Sequence, residues 1–142
     1  MSEIDNELLL TRMTEISKFD PTNITELVHL EDFLITTMIK LGGVGLASNQ
    51  VNKRYRAFAM YIRDVPQVLF NPRVVMYSKD SIKSEEGCLS YPNITRIKYR
   101  HSLVEVEWKN YAGTKYQTWL EGQDAVCFQH ELDHLNGKEW NE

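Results

Sequence analysis

The spacing of apolar and polar positions divides the chain into a helix, a series of strands and a second helix. Residues 24–41 place Leu27, Leu30, Leu34, Met38 and Leu41 three or four apart, the period of one buried helix face. Thr22 or Asn23 offers the N-cap, and Gly42 and Gly43 stop the helix. Two short apolar runs follow, RAFAMYI (56–62) and QVLFN (67–71), with Pro66 and Pro72 as punctuation. Alternation returns over 103–108 and in KYQTW (115–119), and the intervening NYAG predicts a hairpin. A helical segment, AVCFQHELDHLN, comes last, with Asp124 as its expected N-cap and Gly137 as its stop. Residues 1–20 are polar and read as an arm with room for a short helix. Helix, antiparallel strands, helix is an α+β pattern rather than a series of βαβ units.

Composition narrows the function classes. A length of 142 residues fits one domain, 1–142, able to bury a core. The chain is 42% hydrophobic and 25% charged, ordinary for a globular protein. A net charge of −4 with no basic block argues against nucleic acid as a partner. No apolar run is long enough to cross a membrane. The opening MSEIDNELLLTR is acidic and lacks the basic and apolar regions of a secretory signal, so the cytoplasm is the expected location. There Cys88 and Cys127 stay reduced and free to bind metal.

The chemistry concentrates in QHELDHLNG (129–137). On a helix, His130 and His134 stack on one face, the spacing of a shared metal ion, with Glu131 between them. Such a site needs a third protein ligand. The extended pattern HExxHxxGxxH fails at its last position, which is Trp140, so the ligand must lie upstream. His29, His101, Cys88, Cys127 and several carboxylates are open candidates. Cys127 sits about 60° around the helix from His130, yet one helix rarely supplies three converging ligands. It reads better as a small apolar residue beside the site. His29 and His101 read as structural. Cys88, in SEEGCLSYP (84–92), is favoured, because a loop or strand end there can bend a thiolate toward an ion.

Three blocks then carry a resemblance: GVGLASNQ (43–50), EGCLS (86–90) and QHELDH (129–134). In that order they resemble the motifs GxGxAAxQ, EGCLS and QHExDH of the peptide deformylase family. The resemblance implies short antiparallel sheets around a central helix that carries HExxH. It implies Cys88, His130 and His134 as metal ligands and Glu131 as the catalytic carboxylate. The Gln50 side-chain amide and the Leu89 N–H are then the oxyanion donors. Gly43, Gly45, Glu86 and Gly87 meet the substrate backbone, and Val44, Val126 and Cys127 form the pocket for a methionine side chain. Arg100 matches a family arginine and is expected to pair with Asp133 behind the metal helix. The reaction implied is hydrolysis of the N-formyl group of a nascent chain's N-terminal methionine. The implied partners are formyl-methionyl peptides and the ribosome, with the protein a monomer. Cysteine and imidazole alone would suit zinc. The family is known for ferrous iron in cells, with nickel, cobalt or zinc able to substitute.

Departures from the family pattern are few. Ser48 stands where alanine is usual, and a buried hydroxyl there needs a partner. Gln123 and Asp124 stand where many members are apolar. Many bacterial members continue past the metal helix into a strand and a further helix. Here five residues follow Gly137, so a compact form is expected, with consequences for stability or ribosome docking. A partial GxGxxG nucleotide loop fails at Ser48 and in its helix-before-strand context. Two alternatives stand: an HExxH metallopeptidase, and a non-catalytic module whose metal is closed off by Cys127.

Overall fold

The structure is a computed structural model that describes residues 3–140. Helix α1 spans Ile24–Lys40. Strands β1 (Gly45–Ala47), β2 (Ala57–Ile62), β3 (Val65–Tyr77), β6 (Leu103–Lys109) and β7 (Lys115–Glu121) form one antiparallel sheet in the order β1-β2-β3-β6-β7. Strands β4 (Ser81–Cys88) and β5 (Tyr91–His101) form a separate hairpin. Helix α2, Gly122–Leu135, carries QHELDH. The α+β expectation therefore holds, and so does the hairpin over 103–119, where Val104 pairs Leu120 and Val106 pairs Thr118.

The large sheet lies between the two helices. Phe58, Met60 and Ile62 of β2 pack with Phe128, Leu132 and Leu135 of α2. Ala57 and Ala59 of the same strand pack with Leu27, Leu30, Leu34 and Met38 of α1. A strand buried on both faces reads as a continuous apolar run, which is why 57–62 shows no alternation.

Four expectations need correction. Pro66 and Pro72 do not bound a strand; both lie inside β3. Pro66 is the second residue of that strand, and Pro72 sits where the β3–β6 register shifts between Phe70 and Arg73, a bulge that needs no N–H. Asp124 is not the N-cap of α2. The helix starts two residues earlier, after Glu121, and Asp124 accepts the Arg63 N–H at 2.9 Å instead. That bond ties the β2–β3 turn, where Arg63 and Asp64 both have positive φ, to the start of α2. Asn23 is the N-cap of α1, but its side chain makes no capping bond and reaches back to Asp20 N and Lys18 O. The strand end expected at Cys88 is present, since Cys88 is the last residue of β4, and the pairing of β4 with β5 extends it into a full hairpin. The arm contains a short 3-10 turn, Asn6–Leu8, and is not merely polar: Leu8, Leu9 and Met13 are buried.

Candidate active site

Helix α2 holds its polar motif inside the protein, and Gln129, His130, Asp133 and His134 each meet a polar group of the β4–β5 hairpin. Gln129 acts as a strand partner for the end of β5. Its Oε1 accepts the His101 N–H at 3.0 Å, and its Nε2 donates to His101 O at 2.8 Å. This fixes the β4–β5 hairpin, and with it Cys88, against the helix. Arg100, on the same hairpin, donates from Nε and Nη2 to both oxygens of Glu86 at 2.8 Å each. Its Nη1 donates to Asp133 Oδ2 at 2.6 Å, the pairing expected from the sequence.

Glu86 in turn holds His130. Its Oε1 lies 2.9 Å from Nδ1 of that ring, which directs Nε2 the other way. There Nε2 of His130 lies 3.1 Å from Nε2 of His134, and Nε2 of His134 lies 3.2 Å from Sγ of Cys88. All three donor atoms fall within 4.8 Å of one another. One thiol and two imidazole nitrogens converging this closely fit a divalent transition metal with an open position. Beside them Oε1 of Glu131 is buried with no hydrogen-bond partner. That orphaned acceptor fits a water held at the same point.

Electrostatics agree with that geometry. Burial pushes the Glu131 carboxyl up to about 7. Burial would also raise Glu86, but hydrogen bonds from Arg100 and His130 outweigh it and hold that carboxyl well below the usual range. Burial lowers His134 to about 3, the neutral form a ligand requires. His130 is raised to about 10 because, against burial, its bonds to Cys88 and Glu86 favour positive charge at this point. A metal ion satisfies the same preference by displacing the proton.

The ligand set opens onto a cavity of about 700 Å³. Val44, Leu89, Val126 and Cys127 give it an apolar lining beside His130 and Glu131, and Gln123 adds a polar group. Gly43, Gly45 and Gly87 bring backbone to the same wall. Gly45 is also needed for space, because a Cβ there would lie 2.5 Å from Oε2 of Glu131. Gln50 stands at the inner end. Its Nε2 donates to Ser90 Oγ at 3.0 Å and lies 3.6 Å from Cys88 Sγ, while its Oε1 accepts the Ala47 N–H. Ser48 is fully buried and finds its partner, Ala57 O, at 2.6 Å.

The other ligand candidates stand apart from the group. Cys127 points its thiol at Val44 O, 3.4 Å away. His101 bonds Ser78 O through Nδ1, and His29 is exposed. Sequence reasoning missed Tyr91 and Trp140. Tyr91 lines the cavity and Trp140 lies behind His130, their rings 5.4 Å apart.

Comparisons with known proteins give the family and the fold. The sequence matches the family described as polypeptide deformylase over residues 1–140. It is 38% identical over 130 residues to a peptide deformylase of Thermotoga neapolitana, covering 92% of this chain and 77% of that protein. The crystal structure of peptide deformylase from Thermotoga maritima superposes with a TM-score of 0.83 at 33% identity, covering 95% of this chain and 90% of that one. A peptide deformylase from a Vibrio parahaemolyticus bacteriophage, solved with actinonin, gives a TM-score of 0.83 at 30% identity, covering 97% and 98%. With motifs, fold and relatives in agreement, this chain belongs to the polypeptide deformylase family.

Proposed function

We propose that Cys88, His130 and His134 hold one divalent metal ion and that Glu131 moves the proton in the family's reaction. As a deformylase the chain is a metal-dependent hydrolase that removes the N-formyl group from nascent polypeptides and releases formate. The observation that carries the assignment is the convergence of the three donor atoms within 4.8 Å beside a buried, unpartnered Glu131 oxygen.

When bound, the ion polarises the formyl carbonyl and lowers the pKa of a water molecule. The residues supply the rest. Glu131, with a carboxyl near neutrality, takes the water proton at its carboxylate and returns it to the leaving amine nitrogen. The Gln50 amide and the Leu89 N–H stabilise the developing oxyanion, with Gln50 leaving Ser90 as the substrate enters. Val44, Val126 and Cys127 receive the methionine side chain, and Gly43, Gly45 and Gly87 let an extended peptide approach. Both oxygens of Glu86 are taken by Arg100, so we assign it to holding His130 rather than to touching substrate.

The family likeness supports ferrous iron as the cellular metal, with nickel, cobalt or zinc able to replace it. It also supports a cytoplasmic monomer acting on chains leaving the ribosome. Among the described residues no helix is long and apolar enough to cross a membrane.

The test is turnover of formyl-Met-Ala-Ser and acetyl-Met-Ala-Ser by nickel-loaded protein. Formate from the first, with no cleavage between residues of either, is the expected result. Internal peptide cleavage would favour the metallopeptidase alternative. No turnover by folded, metal-loaded protein would favour the non-catalytic one.

A further inference from the structure

The turn that follows α2 folds back against His130 and Glu86, and none of the family motifs includes it. Gly137 reverses the chain with φ +71°, and Trp140 ends up buried at 3% exposure. Its indole Nε1 donates to Oε1 of Glu86 at 3.3 Å, the oxygen that also meets Nδ1 of His130. Its ring packs against the His130 ring itself, centroids 5.7 Å apart. One residue earlier, Glu139 Oε1 accepts the Tyr91 hydroxyl at 2.6 Å, and the Tyr91 ring lies against Trp140, centroids 5.4 Å apart. Trp140 is therefore clipped to the first residue of β5, three residues past Cys88.

We propose that Trp140 is a positioning residue for the ligand His130, acting through Glu86 and secured by the Tyr91–Glu139 bond. Oε1 of Glu86 receives three donors from three directions: Arg100 Nη2, His130 Nδ1 and Trp140 Nε1. The indole N–H adds to the arginine fork a further hold on the oxygen that faces the imidazole. Outer groups that orient a ligating histidine commonly change metal affinity by about 10–100-fold when removed. The inference rests on the three-ligand metal site proposed above.

The test is the rate at which a chromogenic chelator strips nickel from the loaded protein, read by absorbance and requiring no turnover. Trp140→Phe removes the N–H and reduces the indole to a single ring while keeping an aromatic beside His130; Trp140→Ala removes both the N–H and the ring. Nickel loss is expected to be about tenfold faster than wild type for Trp140→Phe, with a folded circular dichroism spectrum, and faster again for Trp140→Ala. Nickel loss from Trp140→Phe at the wild-type rate overturns the proposal, even if Trp140→Ala is fast, because the ring would then act by packing alone. Should Trp140→Ala fail to fold, Trp140→Phe carries the test. A folded wild type that takes up no nickel overturns the metal assignment itself, a different outcome from equal retention by wild type and variant.

Discussion

Gly45 and Glu131 share a space that holds only one of them plus hydrogen: a Cβ at position 45 would meet Glu131 Oε2 at 2.5 Å and its Cγ at 2.9 Å. Glu131 is 4% exposed and has little room to yield. Gly45→Ala is expected to displace the carboxylate and lower kcat about 100-fold. The metal ligands are not touched, so nickel stoichiometry should stay at one per chain. Steady-state kinetics and metal analysis on the same preparation check this. An unchanged kcat would show that the position of the Glu131 carboxylate does not limit the reaction.

Arg100 neutralises two acids, Glu86 and Asp133, while itself buried at 8% exposure. Arg100→Met keeps most of its length and leaves Glu86 as a buried charge without its arginine. Breaking one side of such a pair destabilises by about 3–5 kcal/mol. Chemical denaturation of the metal-free forms measures this directly. A loss under about 1 kcal/mol, the range of an exposed pair, would mean that water reaches Glu86 in place of the arginine.

The two thiols should behave as opposites. Burial, followed by the charges of Glu131 and Asp124, pushes the Cys127 thiol well above the ordinary range, so it remains S–H through neutral and mildly alkaline pH. Cys88 is only half-buried and faces the cavity. Iodoacetamide on chelator-treated, folded protein is expected to modify one cysteine, Cys88, and nickel should suppress that labelling. Mass spectrometry of the digested protein identifies the site. Cys127 labelled as fast as Cys88 would contradict the burial.

Gly137 is held against the arm. A Cβ there would lie 2.8 Å from Leu10 O and 2.9 Å from Arg12 N, and φ is +71°. Arg56 clamps the same junction by donating to Met13 O, Leu135 O and Asn136 Oδ1. Gly137→Ala combines left-handed strain with a backbone clash and should cost at least about 1–2 kcal/mol. Limited proteolysis should then cut residues 8–13 sooner than in the wild type. Equal cleavage rates would mean that the arm is held elsewhere.

What the sequence reveals follows from what each side chain buries. The face of α1 and the hairpin over 103–119 are legible because apolar residues recur at the period of their element, and the helix around QHELDH is legible from the spacing of its two histidines and the glycine that stops it. The β4–β5 hairpin is not legible, and the reason is local. Its buried positions are filled by Glu86 and Arg100, which neutralise each other, so the strand pattern is written in charges. Pro66 and Pro72 mislead because a strand start and a bulge tolerate a missing N–H. Asp124 resembles a cap but serves the β2–β3 turn through Arg63.

The site was legible where motif and chemistry coincide. His130 and His134 announce a shared ion by spacing, whereas Cys88 needed the three-block resemblance because strand pairing, not sequence distance, brings it close. The Arg100–Asp133 bond was expected and is present at 2.6 Å. The roles of Gln129, Tyr91 and Trp140 depend on contacts between β5 and the segments around α2, which no local pattern encodes.

The most direct measurement of the central claim is formate release from formyl-Met-Ala-Ser by wild type and Glu131→Gln, each with its bound nickel counted. The substitution keeps the shape of the side chain and removes its capacity to take a proton. One nickel per chain is expected in both proteins, with formate released by the wild type and reduced at least about 100-fold in the variant. Comparable formate release from a fully loaded Glu131→Gln would contradict the claim, and the proton would have to travel through another group.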